Sequence, residues 1–184
     1  MEGKGRGCSG EELSQLHFCN TFEPVNPSTL TKKEKERAIE SHLFLKLKWD
    51  ATMKGRMVAG GDKQCMYIPK EDAMSPMAHL ESVMLTAVIN AKEGQDVAIA
   101  DVPNAFVQTQ LQDDNDKVIM HLHGPLATLL CEMAPEVYGP FMCKDKQGRD
   151  LLYVRILNAL YIIMKVALLY YCHFFGTLKP NVLF

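Results

Sequence analysis

The apolar positions change spacing several times along the chain, and each change predicts a different element. Residues 1–31 are rich in Gly, Ser, Pro and Asn, with scattered apolar positions at Leu13, Leu16, Phe18 and Phe22. They read as a loosely ordered lead-in to a domain over 32–184. Residues 32–47 begin Lys/Glu-rich and continue through Ala38, Ile39, Leu43 and Leu45, which predicts a helix. The run Leu45-Lys46-Leu47-Lys48-Trp49 alternates and equally suits a strand. Met53–Gly61 is a short apolar run ending in glycines, a strand into a turn. Ser75-Pro76 opens a helix whose apolar positions fall at 77, 80, 84, 87, 88 and 91, and Gly94 stops it.

Further on, Val97-Ala-Ile-Ala-Asp101 predicts a buried strand over 96–101, and 104–111 a short helix. Residues 117–122 alternate as a strand, and Pro125–Met133 is apolar enough for a helix. Gln147-Gly148 is a turn, 151–157 a strand and 158–175 a helix. Strands interleaved with helices suggest α+β or α/β.

The chain of 184 residues is long enough for one domain with its own core, and 47% apolar against 23% charged residues is a globular balance. Net charge is only −2, but it is unevenly spread. Residues 32–56 carry eight Lys/Arg against four Asp/Glu, whereas 71–116 carry nine acids and one lysine, Lys92. A basic segment feeding an acidic one suits a site that holds phosphate and divalent metal together; the plainer reading is two solvated faces. The six cysteines form no Cys-x-x-Cys, and residues 1–15 are polar and Gly-rich rather than a secretory leader. An intracellular chain with reduced thiols, cytoplasmic or nuclear, is the expectation. Residues 156–175 approach the length of a bilayer span. Lys165 near their middle costs roughly 2.5–3.5 kcal/mol on insertion, so a buried helix and no membrane are expected, with a membrane anchor as the alternative.

Four segments stand out, and all but the one at Tyr67–Leu85, read as structural, carry candidate chemistry. A carboxylate ending a buried strand, as predicted for Asp101, is costly unless a cation meets it, and a metal ion is one such cation. Alone, such an Asp is usually a cap or loop contact. Phe106 follows within an Ala-Phe pair, and alone it reads as a core residue. Met53-Lys54-Gly55-Arg56-Met57-Val58-Ala59-Gly60-Gly61 presents two cations on a strand; Tyr67–Pro76 leads into the helix at Leu80–Leu85; and Leu157–Tyr171 contains Ala159-Leu160-Tyr161.

In this order the four segments resemble those of copia-type retrotransposon reverse transcriptases, over roughly residues 20–175. The resemblance implies a partial right-hand polymerase of class α+β: fingers plus an incomplete palm, whose antiparallel sheet carries Asp101. It implies RNA-directed DNA synthesis on an RNA/DNA template-primer from deoxynucleoside triphosphates, with two Mg ions. Asp101 would be catalytic and bind metal. Lys54 and Arg56 would bind phosphates, and Phe106 would lie against the sugar. Ile162 and Lys165 depart from the family, which keeps Gly and Gln at those places.

The family's second carboxylate motif, an aromatic residue followed by x-Asp-Asp, should come several dozen residues after Ala159-Leu160-Tyr161, and it is not in this sequence. Asp113-Asp114 precedes that segment and has no aromatic lead-in. The expectation is a fragment with little or no polymerase activity, an exposed sheet edge, and Mg not held by this chain alone. The alternative is a non-catalytic remnant that binds nucleic acid or associates with other retrotransposon proteins. His121-x-His123 would point both imidazoles to one face of a strand, and with Cys131 and Cys143 they suggest a zinc site whose spacing matches no common finger. No Gly-x-Ser-x-Gly and no Walker loop is present.

Overall fold

The computed structural model describes residues 2–66, 68, 69, 73–111, 117–161 and 163–178. Its fold is mixed α+β. The elements are α1 (Glu2–Phe18), β1 (Phe22–Pro24), α2 (Lys32–Arg37), β2 (Ile39–Leu47), β3 (Met53–Ala59), α3 (Leu80–Glu93), β4 (Ile119–His123), α4 (Pro125–Met133), α5 (Pro135–Tyr138), β5 (Cys143–Lys144), β6 (Asp150–Ile156) and α6 (Val166–Leu178). The strands form one sheet in the order β1-β6-β4-β2-β3, with β5 beside β6. All pairings are antiparallel except the short β2–β4 contact, where Ile39 faces Met120 and Glu40 faces His121.

Alternation along β4 and β6 divides the sheet's two faces. Met120, Leu122, Leu152, Val154 and Ile156 point into the main core, where Leu13 and Leu16 of α1 and Leu130 of α4 meet them. Each such side chain contributes about 1.5–3 kcal/mol by leaving water. Ile119 points the other way and joins Leu30 and Ala38 in a smaller cluster edged by Val25 and Tyr153. Tyr138 of α5 is fully buried, and burial pushes its hydroxyl up to about 12. That hydroxyl pairs with Nδ1 of His17 at 2.9 Å, which ties α1 to α5.

Several sequence expectations are met. β3 ends before Gly60, α3 stops at Gly94 in the left-handed conformation (φ 66°), and α4 spans Pro125–Met133. Gly148 supplies the left-handed turn (φ 77°) between β5 and β6. Gly124 has φ 52° and ψ −124°, a conformation closed to residues with a Cβ, and it turns β4 directly into α4.

Others are corrected. Residues 1–31 are not a loose lead-in. They hold α1 and β1, and Leu13 and Leu16 are buried even though four glycines lower the intrinsic helix propensity. The helix expected over 32–47 is limited to Lys32–Arg37, held by a capping box in which Thr31 and Glu34 satisfy each other's backbone N–H. From Ile39 the chain is a strand, which pairs with β4 at Ile39 and Glu40 and with β3 from Ser41 to Leu47. Residues 158–161 and 163–165 are not helical. The backbone here serves neighbours instead: Ala159 N–H donates to Thr109 O at 2.8 Å, and just before it Leu157 N–H donates to Thr21 O at 2.9 Å.

The strand expected over 96–101 does not form. Residues 96–101 pair with none of the described strands. Val97 and Ile99 are 67% and 96% exposed, and Asp101 is exposed too. The outer edge of β3 is also not bare. Cys8 Sγ donates to Met53 O at 3.2 Å, Met57 N–H to Glu12 Oε1 at 3.0 Å, and Ala59 N–H to Tyr161 O at 3.1 Å. A Cβ at Gly55 would lie 3.1 Å from Cys8 O, so glycine there lets α1 sit close on the strand. Among the described residues no helix is long and apolar enough to cross a membrane.

Candidate functional site: a cationic hairpin face and its aromatic support

The β2–β3 hairpin projects from the sheet, and its register sorts its side chains by chemistry. Phe44 faces Arg56 and Lys46 faces Lys54, so these four share one face. Leu43, Leu45 and Leu47 lie on the other, opposite Met57, Gly55 and Met53. Phe44, Lys46, Lys54 and Arg56 are exposed, and Trp49 at the tip is 98% exposed. The turn is closed by Lys48 N–H donating to Thr52 O at 2.8 Å, and Asp50 Oδ1 accepts from the Thr52 N–H and hydroxyl. Those two bonds, hydroxyl first, hold the Asp50 carboxyl below its ordinary value.

Two lysines directly opposite each other on a strand pair repel. No acid stands beside them in the register to relieve this. A polyanion laid on the face would offset the repulsion, and an exposed Phe44 and Trp49 offer rings for bases to stack on.

At its inner end the face is tied to two distant segments. The Arg56 guanidinium lies 4.5 Å from the centroid of the Tyr161 ring. Tyr161 meets Phe106 edge to face with centroids 5.2 Å apart, and Tyr170 of α6 meets Phe106 in the same way at 5.6 Å. Tyr170 stacks in turn on Phe174 at 5.9 Å. Backbone bonds hold this assembly. Leu111 N–H donates to Leu157 O at 2.8 Å, Gln110 bridges Asn158, and Val58 bridges Tyr161. The segments around residues 56, 106 and 161 therefore converge.

The structure brings Arg56 and Phe106 together through Tyr161 and leaves Lys54 on the same hairpin face. Phe106 begins a single 3-10 turn, Phe106–Gln108, in place of the helix expected over 104–111, and it is half-buried against the core. Asp101 is an exposed residue on the irregular stretch before that turn, and among the described residues it makes no hydrogen bond or ion pair. The burial that made its carboxylate a metal candidate is absent. Asp113, Asp114, Ile162, Tyr67 and Lys70–Asp72 lie outside the described residues. By resemblance the Ala-Leu-Tyr run, Tyr161 included, belongs to a segment that positions template and nucleotide, but sequence reading named no contact for Tyr161. It also missed Phe44 and Lys46, which only the register with β3 places beside Lys54 and Arg56.

His121 and His123 do share a face of β4, with ring centroids 4.6 Å apart. His123 Nδ1 lies 3.9 Å from Asp145 Oδ2, and Cys143 Sγ donates to Leu151 O at 3.2 Å. Among the described residues no three His, Cys, Asp or Glu side chains gather to hold a metal ion, so the zinc reading lacks a ligand set there.

Compared with protein-family models, curated proteins and solved structures, the chain matches none.

Proposed function

We propose that this chain is the fingers and part of the palm of a copia-type reverse transcriptase. In this reading it retains binding of nucleic acid or polyphosphate along the β2–β3 hairpin without retaining polymerisation. One observation supports the reading: Arg56 and Phe106 each touch Tyr161, so three of the four resembling segments converge on one ring. A triphosphate-contacting cation and a sugar-contacting ring must lie in one site, and their meeting on the two sides of one side chain accords with that requirement.

The chemistry assigned to these residues is binding and orientation. Lys46, Lys54 and Arg56 would neutralise successive phosphates, because fixed cations stabilise phosphate charge. The ring of Tyr161 fixes the Arg56 guanidinium while leaving its edge N–H groups for an anion. Phe106, clamped by Tyr161 and Tyr170, presents a rigid apolar edge. Two-metal transfer needs several carboxylates around ions about 3.5–4 Å apart, and Asp101 on an exposed stretch does not supply them. No step is therefore assigned to Mg on this chain.

Primer extension and single-stranded RNA binding, measured side by side on the full chain, test the reading. The expected outcome is RNA binding at low salt with no template-dependent extension in Mg²⁺ or Mn²⁺. Robust extension would overturn the loss of catalysis, and no RNA binding at low salt would overturn the retained function.

A further inference from the structure

Helix α3 makes no extensive contact with any other described element. None of its residues is buried, and Leu80, Val83, Met84, Leu85, Val88 and Ile89 are 44–72% exposed. Helices of globular proteins owe most of their stability to a packed apolar face, so a bare one of this length calls for a partner. We propose that α3 pairs antiparallel with α3 of a second copy of this chain, making a symmetric dimer.

Helical spacing places Leu80, Met84, Ala87 and Ala91 on one stripe, flanked by Val83 and Val88. The stripe is large at its N-terminal end and small at its C-terminal end. Laid antiparallel on itself it is complementary: Leu80 meets the second copy's Ala91, and Met84 meets the second copy's Ala87. A parallel pair would set Leu80 on Leu80 and Met84 on Met84, and would leave hollows at the alanines. For a pair made through this stripe, shape therefore favours the antiparallel direction over the parallel one.

Charge selects the same arrangement. The helix carries Glu81 in its first turn and Lys92 in its last, both on the same flank of the stripe. Antiparallel pairing brings like flanks together, so Glu81 of each copy falls within about one turn of Lys92 of the other. Two-fold symmetry makes this contact twice. The stripe of one 14-residue helix is a small interface, so the pair is expected to be weak and reversible.

Sedimentation equilibrium of the full chain across the micromolar range tests the proposal. Wild type is expected to show a reversible monomer–dimer equilibrium. Met84→Glu should leave it monomeric with an unchanged far-ultraviolet spectrum, since Met84 supports nothing inside the monomer. Glu81→Lys and Lys92→Glu should each weaken the dimer about tenfold, and the double exchange should restore it. The exchange discriminates well. The helix dipole favours acid at the N-terminus and base at the C-terminus, so on helix stability alone the double variant would be the worst. A monomeric wild type overturns the proposal. So does a dimer that ignores Met84→Glu, and so does a double exchange that fails to recover.

Discussion

The Arg56 guanidinium rests 4.5 Å from the centre of the Tyr161 ring, and the same ring meets Phe106 edge-on at 5.2 Å. Tyr161 thus couples a cation on the hairpin to an aromatic side chain beyond α3. If its ring is what holds Arg56 in place, Tyr161→Phe should bind single-stranded RNA like wild type, because the face of the ring is kept. Tyr161→Ala should bind several-fold more weakly, matching a partly exposed cation–π contact of about 0.5–1 kcal/mol. Fluorescence anisotropy at fixed low salt checks both. Equal affinity in the alanine variant would remove Tyr161 from the site.

The first helix gives a sharper test of the fold. Leu13 is fully buried between α1 and the sheet. Leu13→Ala should destabilise the chain by about 2–5 kcal/mol in urea unfolding, the range for a leucine removed from a core. A loosely ordered segment would lose almost nothing.

The reason α1 was not legible in the sequence is physical. Gly3, Gly5, Gly7 and Gly10 argue against a helix locally, and the contacts that decide the matter come from β3. Glu12 accepts from Met57 N–H, and Gly55 lets Cys8 approach. The reverse holds for α4, where Gly124, Pro125 and a run of apolar residues specify start, phase and burial without outside help. β2 was half legible, because the alternation at Leu45–Trp49 was visible while the charged start at Lys32–Arg37 read as a longer helix. The Val97–Asp101 run shows the opposite error. Its apolar run is strand-like, but a strand needs a neighbour to pair with, and local composition says nothing about whether one is there. At the site, Lys54 and Arg56 were readable from their segment. Their common face with Phe44 and Lys46 depends on the register, which no single segment encodes.

Asp150 links α4 to the sheet and makes stability depend on pH. Lys144 Nζ and the Thr128 hydroxyl both bond its carboxylate, and together they hold it below the ordinary carboxylate value. A depressed native value means that the unfolded chain takes up the proton first. The stabilisation is therefore present above the unfolded value near 3.9 and disappears as pH falls through the lower native value. Asp150→Asn should be less stable than wild type at pH 6, and the gap should close as pH approaches 2. Urea midpoints measured across that range decide it, and a gap independent of pH would refute the assignment.

The central claim is that the hairpin face binds a phosphate chain through Lys46, Lys54 and Arg56. Its most direct test is the salt dependence of single-stranded RNA binding by wild type and by a variant with all three replaced by Gln. Each phosphate contact on a single strand contributes about −0.7 to the slope of log K against log salt, so the variant should lose a slope of about 2 along with most of its low-salt affinity. An unchanged slope in the triple variant would contradict the account.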